Sequence, residues 1–182
     1  MKQIKEYSDE VELVDYKKAN VEEMKESDWD SVSEIYLEGI NTGIATFQNS
    51  IPNFDDWNNG HIKSCRLVAK LDGKILGFAA LSSISSRQVY SGVAEVSIYI
   101  GENYRGLGIG HALMINLIKL SEENNFWSLQ SGIIIENTSS IELHKKCGFR
   151  EIGQREKIAK MDNGVWHDTV LMERRSKLVG IE

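Results

Sequence analysis

The chain has 182 residues, a mass of 20.6 kDa, a formal net charge of -6 and a pI near 5.3. That length holds one ordinary α/β domain with a full core and leaves little room for a second. The acidic balance excludes the clustered Lys and Arg with which a nucleic-acid surface displaces counterions from phosphates, and it points to small-molecule partners.

Residues 1 to 18, MKQIKEYSDEVELVDYKK, read as an extension without the apolar centre of a signal peptide. The domain is expected over 19–176, with 177–182 as a tail. NVEEMKESDWDSVSEIYLEGI gives a short strand and then a helix, with Ser27 as cap and Asp30 three residues on as a capping-box-like start. Ile35, Leu37 and Ile40 lie along its later turns. NTGIATFQNSIPNFDDWNNGHIKS carries the sole proline, Pro52, and Asn-Gly punctuation, which predicts a loop and a short helix around 54–62. CRLVAKLDGKILGFAAL is a hairpin, because two apolar runs flank Asp72-Gly73, a pair that tolerates a tight primed turn. GVAEVSIYIG follows as a strand.

Beyond the glycine-rich YRGLGIG, the segment HALMINLIKLSEENN places Leu113, Leu117 and Leu120 on one helical face, and LQSGIIIE is the apolar run of a buried strand. TSSIELHKKCGF is a helix ended by Gly148, and DNGVWHDTVLMER closes the chain with a hairpin turn and strand. The order β α α β β β α β α β β is an α/β layout with a mixed sheet. No apolar run approaches the roughly 18 residues of a membrane span. Cys65 and Cys147 lack metal-ligand or CxxC spacing and fit core thiols in a reduced cytoplasm. A soluble cytoplasmic protein with no membrane or nucleic-acid partner is expected.

YRGLGIGHALM, Tyr104 to Met114, is the most informative stretch. Glycines at 106, 108 and 110 let successive backbone N–H groups turn toward one point, and the helix starting there adds its positive dipole end. Such a site binds an anion, typically phosphate. A dinucleotide-binding GxGxxG would need glycine where His111 stands, and the GxxxxGK of a P-loop is absent. Close packing of helix on strand is the other use of such glycines.

What remains is the pattern Arg/Gln-x-x-Gly-x-Gly/Ala, here Arg105, Gly108 and Gly110, and with it the chain resembles the GNAT acyltransferases. The resemblance implies a GNAT fold: a mixed central sheet, flanked by helices and splayed between two parallel strands, here AEVSIYI and SGIIIE. It implies that Arg105, Gly106, Leu107, Gly108, Ile109 and Gly110 hold the pyrophosphate of acetyl-CoA, with Ile98, Tyr99 and Ile100 along the pantetheine arm. ENTSSIELHKKCGF looks like the family's second cofactor segment, which assigns Asn137 and Ser140 to the same ligand. NTGIATFQNSIPNFDDW, RQVYSGVAEVSIYI and NGVWHDTVLMER are similar to the phosphinothricin and methionine sulfoximine acetyltransferase branch. Members of that branch acetylate the α-amine of small amino-acid analogues and are usually homodimers.

Acyl transfer from a thioester to an amine needs a neutral nucleophile, an oxyanion stabiliser and a proton for the departing thiolate. By resemblance Glu95 is the general base; strand alternation puts it on one face with Ser97 and Tyr99. The Ile98 N–H is a candidate oxyanion donor. His144 stands where many GNAT proteins carry a tyrosine, and is a candidate acid or a cofactor-packing residue, since a thiol near pKa 8.5 barely needs an acid. A closed pocket needs a cation for the acceptor carboxylate, and Arg87, in an RQVY that resembles the branch's Arg-x-Ala-Tyr with Tyr90 beside it, is that candidate. Thr46 and Phe47 are pocket-wall candidates by the same comparison. SSISS replaces the usual proline-rich residues, and Val-Ala-Glu stands where Thr-Val-Glu is common, so the side-chain pocket departs from the branch. Trp166 and Asp168 match its terminal Trp-x-Asp and read as packing. His61, His111 and His167 have no metal-ligand spacing, and no metal is expected.

The expected activity is acetyl transfer from acetyl-CoA to the α-amine of a small amino acid or analogue, by direct attack in a ternary complex. No cysteine lies beside a base to form an acyl-enzyme. A polyamine or a protein amino terminus as acceptor, and an acetyl-CoA-binding regulator without turnover, are the alternatives.

Overall fold

The computed structural model describes residues 18–182. The extension expected over 1 to 18 lies, except for Lys18, outside them. The elements β1 (Asn20–Glu23), α1 (Trp29–Asn41), α2 (Phe54–Gly60), β2 (Arg66–Leu71), β3 (Lys74–Ser83), β4 (Val93–Ile100), α3 (Ile109–Glu123), β5 (Ser128–Ile134), α4 (Thr138–Lys146), β6 (Arg150–Lys160) and β7 (Trp166–Arg175) follow in the predicted order. The strands form one seven-stranded sheet, order β1-β2-β3-β4-β5-β7-β6, parallel at β4/β5 and antiparallel at its other pairings.

Local chemistry explains most of the punctuation. Asp72 and Gly73 take φ of 50° and 80°, the paired positive values of a primed hairpin turn. Asn53 caps α2 by accepting the Asp56 N–H at 2.9 Å. The entrance to α1 differs from expectation. A 3-10 turn at Glu26–Asp28 precedes it, and Asp28 rather than Ser27 is the N-cap residue of α1; its carboxylate makes no bond to the helix and reaches back to accept the Lys25 N–H at 2.9 Å. The carboxylate also meets Lys70 Nζ at 2.9 Å across β2, a charge partner that a serine hydroxyl could not use. Leu37 is 41% exposed, because α1 buries Val32, Ile35 and Gly39 instead.

Each face of the sheet carries its own core. Leu113, Met114 and Leu117 of α3 pack with Leu76, Ala79 and Leu81 of β3 on one side. Val32 and Ile35 of α1 and Trp57 of α2 pack on Phe78 and Val68 on the other. The site is positioned by one irregularity of the sheet. β4 and β5 pair only over Val93–Glu95 against Ser128–Gln130. Beyond that β4 stays on β3 as far as Ile100 and β5 stays on β7 as far as Ile134, so the two parallel edges part.

Candidate active site

Parting strands leave two rows of backbone groups without partners in the sheet. The Gly101 N–H donates to the Leu76 carbonyl at 2.9 Å, and hydrogen-bonded pairs recur at every second residue of an antiparallel ladder. Residues 97 and 99 therefore bond to β3, while the N–H groups of Ile98 and Ile100 turn into the gap. By the same alternation the Ile135 N–H on the Asp168 carbonyl, at 3.1 Å, turns the backbone of Gly132 and Ile134 into the gap from the other side. A cleft of about 690 Å³ follows the gap, bounded by both strands, the glycine loop, α4 and the loop after α1. Side chains of β4 alternate across it: Ile98 and Ile100 join the α3 core, and Glu95, Ser97 and Tyr99 face the α1 side.

At one end of the cleft stands the glycine loop. Gly106 and Gly108 have φ of 77° and 87°, and a Cβ at either would meet nothing within 4 Å. Backbone conformation, not crowding, demands glycine at both. Gly110 is different, since its Cβ would lie 3.1 Å from Leu143 Cδ2, and it serves the close approach of α4 to α3. Arg105 is exposed and ties back to the end of β4 by donating from Nε to the Ile100 carbonyl at 3.3 Å. Leu107 is 40% exposed and Ile109 only 2%, with its side chain in the α3 core. Neither side chain lines the cleft, so their contribution to an anion is confined to backbone N–H groups. An open cradle of N–H groups at the start of a 15-residue helix, continuous with an unpaired strand edge, fits a long ligand with a phosphate end.

Glu95 is the last β4 residue of the parallel ladder, so its carboxylate stands where the strands begin to part. Oε1 lies 3.8 Å from where a Cβ on Gly132 would sit, across the mouth of the splay. Asn137 caps α4: its Oδ1 accepts from the Ser140 N–H at 3.2 Å and from the Ser139 hydroxyl at 3.0 Å, leaving the amide NH2 as donor. His144 lines the cleft and is 1% exposed. Its Nδ1 is 2.8 Å from the Ser140 carbonyl oxygen, which only accepts, so Nδ1 carries the hydrogen. Nε2 is then a buried lone pair with no partner in the structure. Burial is the main cause that lowers the His144 pKa from its ordinary value, with the Ser140 hydrogen bond acting the other way.

At the opposite end, Thr46, Phe47, Ser97 and Tyr99 line the cleft. Tyr99 is stacked on Phe78 at 5.2 Å and meets Tyr36 edge-on at 4.9 Å. The hydroxyls of Tyr36, Thr46 and Tyr99 are grouped at this end, each close enough to act on the ionisation of the tyrosines. Burial, with Tyr36 adding to it, pushes the Tyr99 phenol well above its ordinary range, so it remains a neutral hydroxyl. Arg87 and Tyr90 sit apart from these walls, at a 3-10 turn between β3 and β4, with the guanidinium 5.5 Å over the Tyr90 ring. Trp166 is 53% exposed, and Asp168 accepts the Lys157 N–H at 2.8 Å where β6 is irregular. Gly132 and Tyr36 are site residues that the sequence reading passed over. A lone glycine inside the apolar run LQSGIIIE is the local signal for Gly132; none marks Tyr36. Among the described residues no three His, Cys, Asp or Glu side chains are grouped as metal ligands, and no helix is long and apolar enough to cross a membrane.

A splayed parallel pair running into a glycine-capped helix defines a class of enzyme that grips an extended acyl carrier along its sheet edge. The chain belongs to the acetyltransferase (GNAT) family, which it matches over residues 24–149. It is 31% identical over 157 residues to a phosphinothricin N-acetyltransferase of Alcaligenes faecalis, covering 83% of this chain and 79% of that one. Over 101 residues it is 29% identical to an L-methionine sulfoximine/L-methionine sulfone acetyltransferase of Pseudomonas aeruginosa, covering 56% and 58%. Its fold superposes with a TM-score of 0.80 on a GNAT superfamily phosphinothricin acetyltransferase of Sinorhizobium meliloti in complex with AcCoA, at 28% identity over 90% of this chain and 91% of that one.

Proposed function

We propose that the protein moves the acetyl group of acetyl-CoA to the α-amine of a small amino acid or analogue, by direct attack in a ternary complex in the cytoplasm. The observation that carries this reading is the position of Glu95 at the point where β4 and β5 part, three residues before Ile98, whose N–H turns into the gap. Acetyl-CoA supplies an activated acyl group as a thioester. The N–H groups of the Gly106–Gly110 loop and the Arg105 guanidinium hold its pyrophosphate. The open edges of Ile98 and Ile100 accept the pantetheine arm, which the Asn137 amide and Ser140 flank. Tyr99 contributes its backbone position to that strand and its ring to the acceptor wall.

Glu95 removes the proton that an α-ammonium must lose before its nitrogen can attack, directly or through a water. The Ile98 N–H donates to the carbonyl oxygen as negative charge develops on it, without any side chain. His144, neutral and with its hydrogen on Nδ1, has no proton to give from Nε2; it acts as an acceptor that packs the thiol end, and the thiolate leaves without an acid. Thr46 and Phe47 wall the acceptor side chain; Arg87, which rests over Tyr90 apart from the cleft walls, must leave that ring and swing toward the cleft to grip the acceptor carboxylate. A homodimer belongs to the same reading. The eleven residues of edge strand β6 are exposed apart from a half-buried Ala159, and Ile152 and Ile158 are among them.

Thiol release from acetyl-CoA, measured against amino acids and their analogues, spermidine and a short peptide, tests the proposal. Turnover confined to the amino acids, lowered about a hundredfold or more in kcat/KM by Glu95→Gln and raised in acceptor KM by Arg87→Ala, is expected. Turnover of spermidine or peptide alone overturns the acceptor class, and bound acetyl-CoA without turnover of any amine favours a regulator.

A further inference from the structure

The glycine loop is reached from β4 through a compact turn. Gly101 ends the strand's run on β3, with its N–H on the Leu76 carbonyl, and Glu102–Tyr104 then form a 3-10 turn before Arg105 opens the loop. A Cβ on Gly101 would lie 2.9 Å from the Tyr104 ring, so the turn is tight. Its first N–H groups, like those of any helical start, have no partner inside the turn and need an acceptor from outside it. Gly101, at the cap position, has no side chain to offer.

That acceptor comes from another element. Glu38, half-buried in the last turn of α1, takes the Glu102 N–H on Oε2 at 2.6 Å, across 64 positions of the chain. Such a length is that of a charge-assisted bond. α1 lies close enough to the end of β4 for this because its next residue is Gly39. A Cβ there would come 2.6 Å from the Tyr99 ring, so the approach requires glycine.

Charge is not what this carboxylate offers a phosphate ligand. A negative group at the entrance to an anion cradle opposes a pyrophosphate, if weakly where water screens it. What it offers is position, because the turn that it caps sets where Arg105 and the N–H groups of the glycine loop begin. We infer that Glu38 is a positioning residue for the cofactor: by capping the turn at Glu102 from α1, it holds the glycine loop in the form that receives the pyrophosphate, and it acts through its oxygen and not its charge. The inference rests on the reading that this loop binds acetyl-CoA, and it adds to the site a side chain that does not line the cleft.

The test, on the full chain, is calorimetric titration with acetyl-CoA together with steady-state thiol release from acetyl-CoA and from S-acetylpantetheine. S-acetylpantetheine has the thioester and the pantetheine arm but no phosphates, so it does not read the cradle. Glu38→Ala is expected to weaken acetyl-CoA binding and raise its KM by about five- to tenfold. The kcat and acceptor KM at saturating acetyl-CoA, and kcat/KM for S-acetylpantetheine, stay within about twofold. Glu38→Gln, which keeps a carbonyl oxygen for the Glu102 N–H, binds acetyl-CoA within about twofold of the unaltered protein. Three results overturn the inference: acetyl-CoA binding unmoved in Glu38→Ala, which denies the tether a role; an equal loss with S-acetylpantetheine, which means general damage; or a Gln variant as weak as the Ala variant, which makes charge the cause. Failure of the unaltered protein to bind acetyl-CoA overturns the reading of the loop, and the inference with it.

Discussion

Gly108 does at one residue what a phosphate cradle requires of a whole loop. With φ at 87° it reverses the chain just before α3 and leaves the N–H groups that follow it facing outward. An alanine there meets no steric obstacle within 4 Å, so its cost is that of a left-handed L-residue, about 1–2 kcal/mol. Gly108→Ala is therefore expected to lower unfolding free energy by that amount in urea and to raise KM for acetyl-CoA while leaving acceptor KM nearly unchanged. A change confined to the acceptor would move the anion site elsewhere. Such glycines are legible in a sequence because the constraint lies in the residue's own backbone and recurs at a fixed spacing. Tyr36 was not legible, since its role depends on Thr46 and Tyr99 arriving from a loop and a strand distant in the chain. His144 was legible as a site residue, but its protonation state depends on burial and on the Ser140 carbonyl, which spacing does not reveal.

Between elements, the acceptor loop owes its place to the far end of the chain. Asn49 Nδ2 donates to Asp162 Oδ2 at the tip of the β6–β7 hairpin, and the Phe47 ring lies 6.4 Å from that of His167 on β7. Thr46 and Phe47 are thus tethered on a loop whose backbone N–H bonds to the Thr42 and Thr46 hydroxyls are short-range. Asp162→Ala is expected to raise acceptor KM several-fold while KM for acetyl-CoA stays put, because the hairpin tip does not border the glycine loop. Equal effects on both constants would mean that the hairpin supports the whole sheet and not the loop. This tether explains which parts of the element pattern could be read in advance. Turns set by neighbouring residues, such as Asp72-Gly73 and Gly148 with its φ of 85°, were fixed by local chemistry. The start of α1 was misplaced because the competition between Ser27 and Asp28 is decided by Lys70, on a strand some forty positions away. The parting of β4 from β5 is likewise a property of the sheet and leaves no mark in either strand's own sequence.

For the whole molecule, acid is the sensitive direction. His61 and His144 are both held below the ordinary imidazole value of 6.5, chiefly by burial. His61 is stacked on Trp57 at 4.2 Å with Nδ1 2.7 Å from the Trp57 carbonyl, and Arg66 beside it also disfavours a charge. Each folded imidazole binds its proton less readily than the unfolded one, so the unfolded chain takes up more protons as the pH falls through 6.5. The stabilisation is complete above that value and is lost progressively toward the lower folded values. This window lies above the ordinary carboxylate range near about 4, which separates it from general acid unfolding. Unfolding free energy measured in urea is expected to hold steady from about pH 8 to 7 and to decline as the pH falls below the ordinary imidazole value of 6.5. In the double variant His61→Phe, His144→Phe that decline should flatten, whatever the variant's absolute stability, because the slope counts protons and not contacts. A slope unchanged by removing both rings would show that neither imidazole is held below its unfolded value and would assign the acid sensitivity to other groups.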